Sequence, residues 1–292
     1  MTRRTIESLY EQVRAAAPVQ ETFAAATLAQ VAPGIRVLAL RTPTLPPAAH
    51  TNVYLVGPEI GPVAVVDPGS PYPDQQALLD QVLAEVPIDL VLLTHHHGDH
   101  VGGAAALATR WGVPIAAHPA TARRLDGIVE VTQPIGDGER VHGLTAVHTP
   151  GHAEGHLCFE HDDARATIAG DMVAGLGTIL IDPSEGDMAR YLASLELLLA
   201  RPAAALLPAH GPMITDGPAK LREYLVHRRM REDRVLAALS GAPATLDAML
   251  PTAYGDTPRM LWPLAERSLR AHLDKLVTEG RARFDGEARW SR

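Results

Sequence analysis

Fourteen histidines occur in this 292-residue chain, and four of them fall within six positions, in Thr94-His95-His96-His97-Gly98-Asp99-His100. Gly151-His152, Gly170-Asp171 and Ala209-His210-Gly211 carry the same donor types further along. A single histidine is more often a hydrogen-bonded polar residue than a ligand. Four of them with an acid, placed between an apolar run and a glycine-rich turn, form a metal-site pattern. In extended chain, side chains two apart point the same way, so His95 and His97 can grip one ion. Asp99 and His100 follow where Gly98 lets the chain bend, and they can face a second ion. Imidazole and carboxylate donors without thiolate suit zinc, and the same set admits manganese or iron. Two neighbouring ions lower the pKa of a shared water and polarise the bond it attacks, which is hydrolase chemistry.

These donors need elements to hold them. The apolar run Asp89-Leu90-Val91-Leu92-Leu93 predicts a buried strand that delivers Thr94 and the histidines into a loop, and a helical segment follows the glycines as far as Trp111. Residues 5 to 30 alternate charged and apolar positions in a helical manner, broken at Pro18. Strands are predicted at 35–40, 52–56, 63–66, 114–117, 144–148, 157–160 and 167–169, with a helix over 74–86. Strands alternating with helices, then more strands, suit a sandwich of two sheets covered by helices on both outer faces, with the candidate ligands at strand ends along one edge.

The order His95-x-His97-x-Asp99-His100, Thr149-Pro150-Gly151-His152, Gly170-Asp171 and Pro208-Ala209-His210-Gly211-Pro212 resembles the metallo-β-lactamase-fold superfamily over about residues 30 to 215. The resemblance implies an α/β, four-layer αββα sandwich. It implies that His95, His97 and His152 hold one ion, that Asp99, His100 and His210 hold the other, and that Asp171 bridges both. His96 falls at a variable position of the motif, outside the expected ligand set. Asp67, in Val65-Val66-Asp67-Pro68-Gly69, matches an early strand-end acid that supports the ligands without binding metal. His156 is either a similar support or a plain strand-edge residue.

Departures inside the pattern narrow the chemistry. Oxygen-reducing diiron relatives carry a carboxylate where this chain has His97, which disfavours a redox role. True β-lactamases of the superfamily have a cysteine at a second-site position or lack the bridging acid, so β-lactam hydrolysis is at most a weak side activity. Glyoxalase-type glutathione thioesterases set their last ligand in a Gly-His-Glu-Tyr context, unlike Ala209-His210-Gly211-Pro212. The one cysteine, Cys158, lies in the apolar stretch Leu157-Cys158-Phe159 and reads as a core thiol rather than a nucleophile.

The chain is long enough for one large unit, residues 1–216 with a helical segment 1–30, and a smaller one, residues 217–292. Its 46% hydrophobic content supports a full core. A single cysteine fits a reducing compartment. No secretory leader or apolar span follows Arg3 and Arg4, so a cytoplasmic protein that does not enter the membrane is expected. Residues 1–216 carry 12 basic and 24 acidic side chains, and residues 217–292 carry 14 and 10. An acidic body thus precedes a mildly basic tail.

Within the tail a long helix is expected over 218–239, with Leu221, Leu225, Val235 and Leu239 on its apolar face. A second helix is capped by Thr245, a third covers 264–279, and a hairpin turns at Asp285-Gly286. Helices followed by a hairpin make a winged-helix pattern. A superfamily body joined to such a tail, which opens on Tyr224, His227-Arg228-Arg229 and Arg231-Glu232, is similar to the β-lactamase-like-protein-2 group. That group includes an endoribonuclease cutting single-stranded RNA, and related fungal proteins release polyketides by thioester hydrolysis.

Two substrates are therefore in view. In one, metal-bound hydroxide attacks the carbonyl of a carboxylic ester, thioester or lactone, with Asp99 in the catalytic centre. In the other, it attacks a phosphodiester of single-stranded RNA, with Arg228, Arg229, Arg231 and Arg234 neutralising phosphates. The acidic body and the 4% aromatic content, too low for a base-stacking platform, favour the carbonyl. A solvated helix face or a contact between the two units is the plainer account of the arginines. Tyr191 is a candidate for the cleft wall, although packing beneath the tail is favoured, and residues 175–178 could shape a pocket mouth. A non-catalytic scaffold that binds nucleic acid or a partner would be expected to have lost ligands, and none is missing here.

Overall fold

The computed structural model describes residues 3–19, 27–161 and 163–292, with side chains from residue 6 onward. In chain order the first half comprises α1 (Arg3–Ala16), β1 (Ala29–Ala32), β2 (Ile35–Arg41), β3 (His50–Val56), β4 (Val63–Val66), α2 (Pro73–Leu83), β5 (Ile88–Leu92), α3 (Gly98–Val101), α4 (Ala104–Trp111), β6 (Ile115–Ala117), α5 (Pro119–Arg124) and β7 (Gln133–Pro134). There follow β8 (Arg140–Val141), β9 (Leu144–His148), β10 (Leu157–His161), β11 (Ala166–Gly170), α6 (Met188–Leu199) and β12 (Ala205–Pro208). The tail holds α7 (Gly217–Ala238), α8 (Leu246–Tyr254), α9 (Trp262–Thr278) and the hairpin of β13 (Arg283–Phe284) with β14 (Trp290–Ser291).

Seven strands form one sheet in sequence order, β1 to β7, and five form a second in the order β12-β11-β10-β9-β8. The alternation of side chains along each strand builds the layers. In β4 and β5, Ala64, Val66, Leu90 and Leu92 point inward to meet Leu144, Leu157, Phe159 and Ile168 of the other sheet. Val63, Val65 and Val91 point the other way and are covered by Leu79 and Leu83 of α2 and Leu107 of α4. On the outer face of the second sheet, Val147, Cys158 and Leu206 are covered by Tyr191 and Leu195 of α6 and by Leu221 and Leu225 of α7. The result is an αββα sandwich. Leu92 is fully buried, so its truncation to Ala costs about 2–5 kcal/mol.

The helix that opens the chain ends sooner than its periodicity suggested. α1 stops at Ala16, two residues before Pro18, and residues 29–32 pair antiparallel with β2 as an edge strand instead of continuing a helix. Residues 20–26 of that expected helical segment lie outside the described residues. Pairing satisfies the backbone of β1, whose Ala29 and Gln30 are exposed while Val31 and Ala32 pack partly buried against the core between the sheets.

The tail has a cluster of its own. Val235 and Leu239 of α7, Met249 and Leu250 of α8, Leu269, Leu273 and Leu276 of α9, and Trp290 of the hairpin pack together. The Thr245 hydroxyl caps α8 by accepting from Ala248 N–H. α7 serves both clusters, its first half contributing to the body and its second half to the tail. Arg267 of α9 clamps the tail onto the body through Asp182, with Nη2 2.6 Å from one carboxylate oxygen and Nε 2.9 Å from the other.

Candidate metal centre

All seven expected ligands arrive at strand ends on one edge. The loop after β5 brings His95 and His97, α3 carries Asp99 and His100, and the segments after β9, β11 and β12 bring His152, Asp171 and His210. The backbone is tightly fitted here. A Cβ on Gly69 would fall 1.8 Å from the Asp99 carbonyl oxygen, so only glycine lets the chain after β4 pass beneath α3. Asp67, at a φ of +50°, accepts hydrogen bonds from Thr94 N–H (2.8 Å) and Thr94 Oγ1 (2.6 Å). Its Oδ2 also lies 2.8 Å from His100 Nδ1. A left-handed aspartate is a strained residue, held because three groups converge on its carboxylate.

The ring nitrogens sort into two kinds. Thr94 spends its one proton on Asp67, so its oxygen accepts from His95 Nδ1 at 3.0 Å. His97 Nε2 faces Glu185 Oε1 at 2.8 Å, His152 Nδ1 faces the Leu180 carbonyl at 2.9 Å, and His210 Nδ1 faces the His50 carbonyl at 3.0 Å. Each of these outer nitrogens has an acceptor that holds a proton, so in the neutral ring the inner nitrogen is the one left to donate a lone pair. These lone pairs face one another: His95 Nε2 and His97 Nδ1 are 2.8 Å apart, His97 Nδ1 and His152 Nε2 2.9 Å, and His152 Nε2 and His95 Nε2 3.3 Å. These separations match those of neighbouring ligands on one ion, so the array suits a cation at its centre.

A second group lies alongside. Asp171 Oδ1 is 3.5 Å from His100 Nε2 and 3.4 Å from His210 Nε2, while its Oδ2 is 3.4 Å from His152 Nε2. Asp99 Oδ2 is 3.5 Å from His210 Nε2. Neither His100 Nε2 nor Asp171 Oδ1 has a hydrogen-bond partner. Donors at the corners of a tetrahedron with bonds of about 2.0–2.1 Å are separated by roughly 3.3 Å, near these spacings. The sets His95, His97, His152, Asp171 and Asp99, His100, His210 are each compact enough to hold one ion, and Asp171 touches both. The donor chemistry and the orphaned atoms fit two metal ions.

Electrostatics divides the groups. Burial drives His95 well below the usual imidazole range and His152 to about 4, so both stay neutral and ready to donate. Burial alone would also lower His100, but Asp171, Asp67 and Asp99 outweigh it and hold it well above that range. Burial would raise Asp171, and His210 and His100 overcome this and keep it ionised. Glu185 likewise outweighs burial and raises His97, and Asp171 does the same for His210, so the cluster sets neutral imidazoles beside a surplus of negative charge. Both suit a cation.

Sequence reasoning missed Glu185. Its Oε1 lies on His97 and its Oε2 2.9 Å from His96 Nε2, orienting the ligand and occupying its neighbour. His96, His97 and Glu185 also form a compact donor trio of their own. Glu185 sits in a loop with no motif around it, and its position in the sequence carries no signal. His156 proves a support: it accepts from Asp171 N–H at 3.1 Å and, through Nδ1, meets Thr149 Oγ1 at 2.8 Å. Tyr191 is fully buried, donating to the Met172 carbonyl, and is not on the cleft wall. Cys158 is buried and its thiol is pushed up to about 12, mainly by desolvation.

The centre opens into a cleft of about 650 Å³. Its walls are largely apolar, with Leu45, Pro46, Pro47, Leu176, Ile179, Leu180, Leu261 and Leu264 from body and tail and Ile6 and Tyr10 from α1. The expected basic face of α7 is split. Arg228 and Arg231 are buried inside, whereas Arg229 pairs with Glu196 at 3.0 Å and Arg234 with Asp256 at 2.7 Å. The cause is helical phase, since 221, 224, 225, 228, 231 and 235 form one inward stripe.

Comparison with known proteins agrees with this geometry. Residues 46–210 match the metallo-beta-lactamase superfamily, and residues 245–290 match the beta-lactamase associated winged helix domain. An atrochrysone carboxyl ACP thioesterase of Emericella nidulans is 33% identical over 258 residues, covering 82% of this chain and 79% of that protein. The beta-lactamase-like protein 2 homolog of Drosophila melanogaster is 30% identical over 258 residues, 82% and 86% of the two chains. A beta-lactamase domain protein from Burkholderia ambifaria superposes with a TM-score of 0.78 at 24% identity, over 93% of this chain and 97% of its own. The chain belongs to the metallo-β-lactamase superfamily of hydrolases, in the branch that carries a winged-helix domain at the C-terminal side.

Proposed function

We propose that this protein is a two-zinc thioester hydrolase acting on an acyl chain seated in the cleft between body and tail. The observation that carries this reading is the cleft itself, in which a converging array of imidazole and carboxylate donors opens onto walls suited to a hydrocarbon or aromatic group. The similarity to a carboxyl ACP thioesterase supports the same class of bond. Zinc is the best match to the nitrogen and oxygen donors, with manganese and iron as the other metals this set accepts. His95, His97 and His152 would hold one ion, Asp99, His100 and His210 the other, and Asp171 both.

Bound there, the ions supply an activated water and a polarising charge at the carbonyl. The chain's own residues do the rest. Glu185, Asp67 and the carbonyls of Leu180 and His50 fix the rings and their tautomers. Burial would raise Asp99, but His100 and His210 keep its carboxylate ionised. It is positioned to take the proton lost by the attacking water and pass it to the departing thiolate. The apolar walls exclude bulk water from the acyl chain. Residues 1–216 provide the hydrolytic centre in this scheme, and residues 217–292 close one side of the cleft.

The test is a parallel assay of zinc-loaded protein on an acyl thioester, a lactone, a β-lactam and single-stranded RNA. Thioester turnover is expected to exceed the others and to vanish in His95→Ala and Asp99→Ala. Activity that survives both substitutions and chelation overturns the two-metal mechanism. RNA cleavage that tracks the metal, in preference to thioester, overturns the carbonyl assignment.

A further inference from the structure

The wall of the cleft formed by α7, α8 and α9 carries a cluster of buried polar side chains beside Leu264 and Ala265. Arg228, only 3% exposed, and Arg231, 8% exposed, both line it, as do Tyr254, Ser268 and the half-buried His227. Arg228 donates through Nη2 to the Ile179 carbonyl, and its guanidinium lies 5.2 Å from the centre of the Tyr191 ring. No carboxylate among the described residues is within ion-pair distance of it. Arg231 uses Nη1 on the Ala253 carbonyl (3.0 Å) and Asp256 (2.6 Å). Arg228 Nε, Arg231 Nε, the Tyr254 hydroxyl and both nitrogens of His272, one turn along α9 from Ser268, are buried without a hydrogen-bond partner.

A buried, unpaired guanidinium costs several kcal/mol, and each orphaned donor adds to that cost. Arg228, Arg231 and Tyr254 carry such atoms and line a ligand-sized cleft, which marks the wall as a place for a group from outside. The local field agrees: burial and then the neighbouring charges of Arg228, Lys275, His227 and Arg231 hold His272 neutral down to about 3. Arg228, Arg231, Tyr254 and Ser268 line the same cleft, and a guanidinium beside hydroxyl groups is how arginine takes carboxylate or phosphate.

We propose that Arg228, Arg231, Tyr254 and Ser268 form an anion-binding subsite that takes a carboxylate or phosphate group of the substrate while its acyl bond lies at the metal centre. This rests on reading the cleft as the substrate site. The substrate class is then an acyl thioester bearing a negative charge at a distance from the scissile bond, either an acid on the acyl group or a phosphate on its carrier.

The experiment uses full-length protein stripped of metal by chelation, so that no anion can bind an ion, and titrates it calorimetrically with benzoate and with inorganic phosphate. Binding of either is expected, with benzoate assigning an acyl carboxylate and phosphate assigning the carrier. Arg228→Gln should weaken it by roughly 10–100-fold, as loss of a charge-assisted hydrogen bond implies. Tyr254→Phe removes only a hydroxyl and leaves both guanidinium groups in place, so it should keep the fold, checked by thermal unfolding, yet weaken the same anion. Absence of binding to wild-type protein, or equal binding to both variants, overturns the subsite. Zinc-loaded protein is then given matched thioesters with and without a terminal charge, and Arg228→Gln should raise KM for the charged one alone. Anion binding without thioester turnover leaves the subsite standing and removes the proposed reaction, whereas turnover without anion binding does the reverse.

Discussion

The two polar regions of the cleft are built on opposite principles. At the candidate metal centre the outward nitrogens are met by acceptors of the protein and the inward ones converge on one another, so the cluster is defined by what its partners have already fixed. On the α7–α9 wall, long side chains from three helices are buried with atoms left unpartnered and only part of their charge compensated. The first region is a rigid cage for a small hard charge. The second is an unfilled complement to a group the chain does not contain. Buried polar clusters thus divide by where their second partners lie, and that distinction separates a cofactor site from a ligand site.

The sharpest blow to the metal side of this contrast is Asp171→Ala, which removes the one carboxylate shared by both donor groups. Lewis-acid stabilisation is worth several kcal/mol, so thioester turnover should fall about 10³-fold or more, with metal content measured by atomic emission falling in parallel. Retained metal stoichiometry would separate bridging from catalysis. Glu185→Gln comes next. It keeps the shape but weakens the hold on His97, and a loss of about 10–100-fold in metal affinity is expected, read by competition with a chromogenic chelator. An unchanged affinity would reduce Glu185 to a lid residue on His96.

A smaller effect tests the helical wall. His272 is buried with both nitrogens unpartnered, and its pKa falls from 6.5 unfolded to about 3 folded. Between those values the unfolded chain binds the extra proton, so this group's stabilising contribution is intact above pH 6.5 and declines as pH falls to 3, by about 1.4 kcal/mol per pH unit. In metal-free protein His272→Leu should flatten urea-unfolding stability against pH by that slope in this window. An identical slope in the variant would show that the histidine is hydrated or paired. The least effect is expected at Cys158, buried and with its thiol near 12. It should resist iodoacetamide in the native state at pH 8, and Cys158→Ala should leave kcat unchanged. Rapid labelling would place it on an accessible surface of the sandwich.

Much of the first region could be read along the chain because its ligands follow strand ends in short, dense motifs. The run before Thr94 marked β5, and Gly98-Asp99-His100 marked the turn into α3. Glu185 could not be found this way, since a carboxylate in a loop acquires meaning only when folding sets it against His96 and His97. The edge strand β1 was hidden for a related reason: its residues carry little pattern, and pairing with β2 is what makes them a strand. The α7 arginines lie between these cases. A stripe running from Leu221 through Leu225 to Val235 already places positions 228 and 231 on the inward face. Spacing can reveal that phase, but not which partners a buried guanidinium will lack.

The sequence by itself made the candidate donor set, most of the strands that present it (β12 before His210 excepted) and the helical tail legible, because metal ligation and amphipathic periodicity are local constraints written over a few residues at a time. Only the tertiary structure decided which ring nitrogen each histidine turns inward, that Glu185 and His156 serve the centre, and that Arg228 faces a cleft instead of solvent. Those facts depend on the packing of α6, α7 and α9 against the second sheet, and on contacts between residues far apart in sequence, such as Arg267 with Asp182. Burial converts a charge into a functional demand, and burial is a property of the packed layers rather than of the residue.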